Sequence, residues 1–394
     1  MRLRVFTAFS GYDSQCMALD RLGIDYELVG WSEIDKFAIQ AHNAVYPQWA
    51  DRNYGDISKI DWNEVPDFDL FTYSFPCTDI SNAGQQKGLE KGSGTRSSLL
   101  WECQKAIEIK RPKYCMMENV AALASKKFLP YFLEWERLMC KYGYDNYNKI
   151  LNSKHYGIAQ NRERLFMVSI RGEQAFYWPE PVMLRKRLKD VLETEVDERF
   201  YLKEDKVSIL KGKDYENLKS QKEVDERICL NSKVNGVQPS SADRIYSING
   251  VMPCVTTGYR PNIAVPLRLK QATIQGYIEV KPGSLFDGSF PESMTRRGRV
   301  QDGGQTSPTL TAGGEPPYYY ESSVGYKIRK LTPKECFRLM GVLDSDIEKI
   351  EESGVSVSQQ YKMAGNSIVV DVMVQIFRKM FVVTGQETQQ LMLF

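Results

Sequence analysis

The stretch LRVFTAFSGYDSQCMALDRLGIDYELVGWSE (residues 3–33) decides the fold class. An apolar run at 3–9 is followed by helical periodicity at 14–22, and a second apolar run follows at 26–33. The alternation continues to about residue 170. Further strands are predicted at 69–75 and 114–120, and a further helix is predicted at 99–109. Strands that alternate with helices indicate an α/β fold with a mostly parallel, doubly wound sheet, in which ligands bind at the carboxyl ends of the strands.

The middle of the chain has a different character, with frequent turn residues and short β-like runs. We predict a discontinuous α/β domain at residues 1–175 and 326–394, because the helix–strand pattern returns there. Residues 176–325 are predicted to form a smaller, β-rich domain. Within it, RIYSINGVMPCVTTG (244–258) and RVQDGGQTSPTLTAG (299–313) share residues at the same offsets. This repeat indicates either a duplicated β-loop unit or a shared binding role.

The bulk composition excludes several classes of protein. Among 394 residues, 52 are basic and 50 acidic, and the net charge of +2 neither demands nor excludes a nucleic-acid partner. Eight cysteines form no CxxC pair and no cluster with the two histidines, His42 and His155, so we predict no metal site. A signal peptide and a bilayer-length apolar run are both absent from the sequence. We therefore expect a cytoplasmic protein with reduced cysteines and no membrane partner.

The first glycine turn and the acids that follow it predict a cofactor site. Glu33 closes the second strand 22 positions after Gly11, and an acid at about that distance binds ribose hydroxyls in nucleotide-type sites. Asp13 and Ser14 stand where further glycines would let a pyrophosphate approach. This argues against NAD or FAD and favours a ribose-containing cofactor without phosphate, such as S-adenosylmethionine. Taken alone, a single glycine turn followed by a strand-end glutamate is more often structural. Asp56, at a third strand end, is placed to contact an adenine amino group.

A second group of residues carries chemistry. SFPCTDIS (74–81) places Cys77 just after a strand, Glu118 ends the next strand, and QNRER (160–164) supplies Arg162 and Arg164. A buried cysteine, a salt-bridged acid and a surface arginine pair are the structural alternatives for each taken singly. Together, a nucleophile, a carboxyl acid and two guanidinium groups suit attack on an electron-poor heterocycle.

Cytosine is such a heterocycle, because its carbon 5 is too weakly nucleophilic to accept a methyl group directly. Addition of the Cys77 thiolate at carbon 6 activates carbon 5. Glu118 can hydrogen-bond or protonate N3, and Arg164 can hold O2 and pair with Glu118. Arg162 can favour the thiolate form of Cys77, since an isolated cysteine has a pKa of about 8.5.

The ordered segments FSGYDS, SEIDKFA, GDI, SFPCTDIS, RSSLL, MMENV, QNRERLF, RKLTPKECFRLMG and AGNSIVV resemble the DNA cytosine-C5 methyltransferase family of bacterial or phage type. The resemblance implies the Rossmann-like fold of S-adenosylmethionine-dependent methyltransferases, with Cys77, Glu118, Arg162 and Arg164 as the catalytic residues. It also implies a set of cofactor contacts: Phe9, Gly11, Glu33, Ile34, Asp56, Ile57, Pro76, Leu99, Asn366 and Ser367. Two departures from the family pattern are Thr78, where glutamine is usual, and a cofactor loop with Gly11 as its single glycine.

The partner implied by the resemblance is double-stranded DNA. Residues 176–325 would form the target-recognition domain, residues 81–96 a lid over a flipped cytosine, and 233–299 carries nine basic and four acidic residues. The DNA contacts we predict are Ser81, Arg96, Arg244, Arg299, Thr256 and Thr311. We further expect a monomer in a bacterial or phage-infected cell, with a cognate restriction endonuclease as a possible second component of the system.

Three other functions remain open from the sequence. A tRNA cytosine-C5 methyltransferase would use the same chemistry, although the middle region of about 150 residues favours a reader of duplex sequence. A nucleotide-binding oxidoreductase would share the doubly wound sheet, but the broken glycine pattern argues against it. A DNA-binding protein that has lost catalysis is the third alternative, and the presence of all four proposed catalytic groups argues against it.

Overall fold

The structure is a computed structural model that describes residues 2–76, 93, 95–182, 187, 190–201, 245–247, 252–253, 262–280, 285–286, 295, 299–300, 318–319 and 326–382. The chain divides into two compact units. The first unit comprises Met1–Lys186, Pro253–Gly258 and Pro333–Phe394, and the second comprises Arg187–Met252 and Tyr259–Thr332.

The first unit is built around a six-stranded sheet. Its strands are β1 (Leu3–Ala8), β2 (Tyr26–Ser32), β3 (Leu70–Tyr73), β4 (Tyr114–Val120), β5 (Tyr144–Asn152) and β6 (Glu163–Arg171). The spatial order is β2-β1-β3-β4-β6-β5, and the pairs β1–β2, β1–β3 and β3–β4 are parallel. The pairs β4–β6 and β5–β6 are antiparallel. The sheet is therefore mixed: the predicted parallel arrangement covers four strands, and two antiparallel strands complete one edge.

The antiparallel edge follows from the short connection between its strands. Only residues 153–162 separate β5 from β6, and they contain a 3-10 helix, Ser153–Tyr156. A parallel crossover needs a dozen or more residues, usually including a helix, whereas antiparallel neighbours can be joined directly. The connection therefore fixes the direction of β6 against β5.

Helices cover the sheet. They are α1 (Ser14–Arg21), α2 (Lys36–Val45), α3 (Leu100–Lys110), α4 (Leu129–Lys141), α5 (Pro333–Leu339), α6 (Asp344–Glu352), α7 (Val357–Asn366) and α8 (Val370–Phe377), with a π-helical turn at Arg378–Val382. Short 3-10 helices lie at Pro47–Arg52, Ile57–Lys59, Arg96–Leu99 and Ala121–Ala124. The C-terminal helices return to the start of the chain, because α8 packs on α1 and α6 packs on α2. Arg21 and Asp371 join α1 to α8 through an ion pair of 3.0 Å.

Both faces of the sheet are buried. Phe6 and Tyr73 belong to an apolar cluster that includes Trp135 of α4, and the Trp135 indole donates a hydrogen bond of 3.1 Å to the Tyr73 hydroxyl. Thr7 and Thr72, which alternate with those residues along β1 and β3, are also fully buried, so the opposite face is covered as well. Each large apolar side chain buried in this way contributes about 1.5–3 kcal/mol to stability. With both faces covered, the carboxyl ends of the strands are the place left for a ligand.

The described part of the second unit is mostly β-structure. Its strands are β7 (Ile245–Ser247), β8 (Asn262–Lys270), β9 (Tyr277–Val280), β10 (Leu285–Phe286), β11 (Tyr318–Tyr319) and β12 (Tyr326–Lys330), with a 3-10 helix at Glu198–Phe200. Two-residue strand segments also occur at Gln160–Asn161 in the first unit and at Met252–Pro253. Strand β8 pairs antiparallel with β9 and β12 and parallel with β7. The β8–β9 hairpin carries the turn 271–276 at its tip, where Ile274 is fully exposed.

Helix lengths and side-chain clusters bear on membranes and metals. Over the described ranges, none of the helices is both long enough and apolar enough to cross a bilayer. Within the same ranges, His, Cys, Asp and Glu side chains form no group of three or more arranged to hold a metal ion.

Candidate active site

The turn between β1 and α1 is held in an unusual backbone conformation. Phe9, Gly11 and Asp13 have φ angles of 55°, 60° and 66°, all in the left-handed region. For a residue other than glycine this conformation costs roughly 1–2 kcal/mol, and such strain collects at ligand sites. A β-carbon at Gly11 would meet no atom within 4 Å, so this turn opens outward at the carboxyl end of β1.

Asp13 points into the protein and caps α1. Its carboxylate accepts hydrogen bonds from the Cys16 amide at 3.3 Å and the Thr7 hydroxyl at 2.8 Å, and His42 Nε2 lies 3.5 Å away. All of these side chains are fully buried. In dinucleotide-binding folds the corresponding helix N-terminus binds a phosphate. Here a carboxylate of the protein occupies that position, which gives a physical basis for the predicted exclusion of a pyrophosphate.

Glu33 is fixed at the end of β2 by backbone amides. Its Oε2 accepts a hydrogen bond of 3.0 Å from Gly11, and Oε1 accepts bonds of 2.8 Å from Ile34 and 2.9 Å from Asp35. The next side chain, Ile34, is apolar and yet 71% exposed. A carboxylate held in one orientation beside an uncovered apolar side chain can recognise a ligand with both a polar and an apolar part.

Asp56 and Ile57 begin a 3-10 helix at the neighbouring position. Asp56 Oδ1 accepts hydrogen bonds from the Ser58 hydroxyl at 2.8 Å and the Ser58 amide at 3.0 Å. These bonds lower the pKa of Asp56, so its carboxylate stays ionised and available as an acceptor. Ile57, the next residue, is buried. The structure therefore places Glu33 and Asp56 on adjoining segments, because Ser32 Oγ also donates a hydrogen bond of 2.7 Å to the Gly55 carbonyl.

The segment that precedes the proposed nucleophile is held by two side chains. Asn119 donates a hydrogen bond of 2.9 Å to the Phe75 carbonyl, and Ser97 donates one of 2.8 Å to the Pro76 carbonyl. Asn119 and Ser97 are both buried. The sequence-based interpretation assigned no role to either residue. They fix the chain up to Pro76, which is the last residue described before Cys77.

Removing the Asn119 amide is expected to destabilise the first unit. The Asn119→Ala change leaves the Phe75 carbonyl, and the Val120 amide that Asn119 Oδ1 accepts at 2.9 Å, without these partners. Unsatisfied buried groups of this kind cost about 2 kcal/mol of unfolding free energy. Urea unfolding followed by tryptophan fluorescence measures this, because all six tryptophans lie in the first unit. Asn148→Ala, which removes an exposed amide bonded to Glu136, is the control, and an equal loss in both variants would contradict the assignment.

Glu118 and Arg164 meet because of the antiparallel register of β4 and β6. Glu118 lies opposite Phe166, and Arg164 is two positions further along on the same face. Arg164 Nε lies 3.1 Å from Glu118 Oε1, which is an ion-pair distance. The two groups are not aligned for a hydrogen bond between these atoms. Burial raises the pKa of Glu118, while the Arg164 and Arg162 charges oppose this shift without cancelling it. A carboxyl group in this setting holds its proton to higher pH than a solvated one and can act as a donor.

Arg162 is buried and reaches the C-terminal segment. Its Nη2 donates hydrogen bonds to the Ser367 carbonyl at 2.7 Å and the Gly365 carbonyl at 3.1 Å. The AGNSIVV segment (364–370) therefore contacts the QNRER segment (160–164). The predicted return of the C-terminal residues to the α/β domain requires such a contact. Asn366, between the two carbonyls, is exposed.

The remaining predicted residues have different outcomes. Phe9 and Leu99 are partly buried against the apolar cluster of the first unit. Arg299 is fully buried within the second unit, and its amide donates a hydrogen bond of 3.1 Å to Gln271 Oε1. A buried guanidinium does not present its charge to phosphate, so we do not retain Arg299 as a DNA contact. Arg96 begins a 3-10 helix, and the structure describes its backbone only. The predictions for Cys77, Thr78, Ser81, Arg244, Thr256 and Thr311 lie outside the described residues, as does the predicted lid at 81–96 except for residues 93, 95 and 96.

A solved structure is similar to this chain in fold. The methyltransferase EhMeth of Entamoeba histolytica matches with a TM-score of 0.63 at 15% identity, over 97% of this chain and 98% of that chain. At this identity the likeness concerns the fold, and the fold is that of a methyltransferase.

Similarity in sequence is more specific. The family model for C-5 cytosine-specific DNA methylase matches residues 3–382. The type II methyltransferase M2.ScrFI of Lactococcus lactis subsp. cremoris is 33% identical over 96% of this chain and 99% of that protein. The orphan methyltransferase M.SPRI of Bacillus phage SPR is 31% identical over 96% of this chain and 97% of that protein. The chain belongs to the C-5 cytosine-specific DNA methylase family and is a DNA cytosine-C5 methyltransferase. Family membership does not favour the tRNA alternative.

Proposed function

We propose that the chain methylates carbon 5 of a cytosine flipped out of duplex DNA, with Cys77 as the nucleophile and S-adenosylmethionine as the methyl donor. The observation that carries this proposal is the buried Glu118, beside Arg164 and next to the segment that Asn119 fixes up to Pro76. Glu118, the proposed proton donor, lies on β4. The segment that leads to Cys77 follows β3, the strand that pairs with β4.

The residues divide the chemistry as follows. The Cys77 thiolate adds to carbon 6, and the displaced electrons make carbon 5 nucleophilic while Glu118 donates to N3. Carbon 5 takes the methyl group. Removal of the carbon 5 proton by a base, departure of the thiolate from carbon 6 and return of the N3 proton to Glu118 then restore the aromatic ring. Arg164 holds the Glu118 carboxyl in place, and the positive charge of Arg162 favours the thiolate. Flipping the base costs a few kcal/mol, which contacts in the pocket offset.

The residues at the ends of β1 and β2 fit S-adenosylmethionine. The Glu33 carboxylate uses three of its roughly four acceptor positions on backbone amides and keeps one for a ribose hydroxyl. The exposed Ile34 offers an apolar surface to an adenine ring, and the ionised Asp56 offers an acceptor to its amino group. The open space at Gly11 and the internally capped α1 suit a cofactor without phosphate. When bound, the cofactor supplies the methyl group.

Replacing Glu33 with glutamine is expected to weaken cofactor binding. The amide nitrogen of glutamine cannot accept a hydrogen bond, so either the Gly11 amide or the Ile34 and Asp35 amides lose their partner. We expect the Kd for S-adenosylmethionine, measured by calorimetry, to rise about tenfold. Glu27→Gln on the same strand removes a carboxylate paired with Arg52 at 2.8 Å and serves as the control. An unchanged Kd for Glu33→Gln would place the cofactor elsewhere.

The second unit is proposed to recognise the target sequence. The β8–β9 hairpin presents Ile274 and the exposed side chains of Thr273 and Gln275 at its tip, and groups of this type can contact base edges. A monomeric state stays a prediction. A cognate restriction endonuclease stays a prediction as well, because the named relatives include both type II and orphan enzymes.

Methyl transfer tests the proposed function. Tritiated S-adenosylmethionine is incubated with the full chain and either unmethylated duplex DNA or tRNA, and the labelled product is sequenced. We expect label at carbon 5 of cytosine in one duplex sequence context and none in tRNA. Label in tRNA alone, or at any other cytosine position, would contradict the proposal.

A further inference from the structure

A hydrogen bond joins the first and last functional segments of the first unit. The Tyr12 hydroxyl donates to Ser367 Oγ at 2.6 Å, although the two residues are 355 positions apart. Tyr12 lies in the left-handed turn between β1 and α1, and its side chain is 1% exposed. Ser367 Oγ in turn donates a hydrogen bond of 3.2 Å to the Ala364 carbonyl. The Ser367 hydroxyl is therefore oriented by one donor and one acceptor.

Ser367 is also a partner of Arg162. The Ser367 carbonyl accepts the 2.7 Å hydrogen bond from Arg162 Nη2, while the Ser367 hydroxyl accepts from Tyr12. One residue thus receives a bond from the cofactor turn and another from the proposed catalytic arginine. A shift of Ser367 at one of these contacts changes the other, because both bonds end on the same residue.

The Tyr12 ring is fixed independently of its hydroxyl. It packs edge-on against Phe337 of α5, with ring centroids 5.5 Å apart and an interplanar angle of 79°. Burial raises the pKa of the Tyr12 phenol well above its ordinary value, although Ser367 and the Arg162 charge oppose the shift. The phenol consequently remains a donor throughout the usable pH range. Phenylalanine at this position would keep the packing and remove only the donated bond.

Position 12 lies in the loop that departs from the family pattern. Gly11 is followed by Tyr12 and Asp13 rather than by a further glycine, and each of these buried side chains makes a hydrogen bond. Asp13 bonds the loop to its sequence neighbours, Thr7 of β1 and the first turn of α1. Tyr12 bonds the loop to Ser367, near the C-terminus. Of the two, only the Tyr12 bond leads to a residue that also contacts Arg162.

We propose that Tyr12 is a positioning residue, which acts through Ser367 to hold the cofactor turn and the Arg162 guanidinium in one geometry. This inference rests on the proposed function, since it assigns the turn to S-adenosylmethionine and Arg162 to catalysis. Its consequence is that loss of the Tyr12 hydroxyl impairs cofactor binding and methyl transfer together. A hydroxyl with a purely structural role would lower stability and leave both unchanged.

The test compares Tyr12→Phe, Ser367→Ala and the double variant in the full chain. Removing the Tyr12 hydroxyl should raise the Kd for S-adenosylmethionine about threefold to tenfold. It should also slow single-turnover methylation by a similar factor at saturating cofactor. In the Ser367→Ala background the same Tyr12 change should have less than about a twofold effect, because the coupled bond is already lost. Tyr144→Phe is the matched control, since it removes a buried hydroxyl bonded at 2.6 Å to the Pro112 carbonyl.

Three outcomes would overturn the proposal. One is an effect of Tyr12→Phe on Kd and rate no larger than that of Tyr144→Phe. Another is a double variant whose fold-change in Kd and rate equals the product of the two single-variant fold-changes, because independent residues behave in that way. The third is an unchanged Kd for S-adenosylmethionine in both Glu33→Gln and Tyr12→Phe, while the wild type methylates DNA. This result would mean that the cofactor does not bind at the β1–α1 turn. A wild type that binds the cofactor but transfers no methyl group contradicts the proposed function instead, and the Kd comparison then still decides whether Tyr12 positions the turn.

Discussion

Cys77→Ser is expected to lower single-turnover methylation of duplex DNA by at least about a thousandfold, or roughly 4 kcal/mol of activation free energy. A serine hydroxyl is far less acidic than a thiol and provides almost no anion to add to carbon 6 of cytosine. Arg162 can stabilise a thiolate but cannot bring an alkoxide into the accessible pH range. The rate is measured with tritiated cofactor at saturating DNA. Cofactor affinity should stay within about twofold of the wild type, because Cys77 does not belong to the cofactor turn.

The control for the loss of a thiol is Cys140→Ser. Cys140 is an exposed cysteine of α4, and we expect its replacement to leave the rate unchanged. Duplex DNA that contains 5-fluorocytosine at the target adds a direct readout, since the fluorine blocks loss of the carbon 5 substituent and the covalent complex accumulates. The wild type should form a complex that survives denaturation, and Cys77→Ser should not. A wild type that forms none would support the alternative of a DNA-binding protein without catalysis.

Local patterns were sufficient to predict the strands that carry the site. β4 has the predicted bounds, 114–120, and β1 and β2 end within one residue of the predicted 9 and 33. Each of these strands is an apolar run bounded by turn or helix signals, so its limits depend on neighbouring residues alone. The antiparallel pairing of β6 with β4 and β5 was not predicted. The β4–β6 pairing depends on contacts between distant segments, which periodicity does not contain.

The same distinction separates the predicted from the missed residues of the site. Glu118 and Arg164 could be proposed from their chemistry, but their 3.1 Å contact follows from the β4–β6 register. No role was predicted for Asn119, because its role lies in a hydrogen bond to the backbone of Phe75, in the segment that follows β3. Tyr12 gave no signal, since its partner is 355 positions away. Residues with a chemical role can be recognised by type, whereas residues with a positioning role become visible only through contacts.

Asp13 shows how a departure from a motif can preserve its function. Glycine would adopt the left-handed conformation at this position without strain, whereas aspartate adopts it at some cost. The carboxylate offsets that cost through hydrogen bonds with the Cys16 amide and the Thr7 hydroxyl. The loop with one glycine therefore keeps its shape through side-chain bonds. The sequence departure noted at Asp13 is thus compatible with an active enzyme.

Glu118→Gln is expected to lower the methylation rate by about a hundredfold to a thousandfold. The glutamine amide can donate a hydrogen bond to N3 but cannot transfer a proton as negative charge develops on the ring. The raised pKa of Glu118 also predicts a pH signature. Because the protonated carboxyl is the donor, the wild-type rate should fall as pH rises through that raised pKa. The reaction also needs the Cys77 thiolate, which forms as pH rises, so the two opposite requirements should give a bell-shaped wild-type profile.

The variant separates the two limbs of this profile. Glutamine does not titrate, so Glu118→Gln should lose the alkaline fall and keep the acidic rise. Single-turnover rates at saturating DNA and cofactor, taken across pH at constant ionic strength, make the comparison. Glu102→Gln, which removes a carboxylate paired with Lys105 at 2.6 Å on α3, should retain the wild-type profile. If Glu118→Gln keeps the alkaline fall, that limb belongs to another group and Glu118 is not the proton donor. If it keeps the full rate, N3 needs no proton from this residue, and the ion pair with Arg164 has a structural role only.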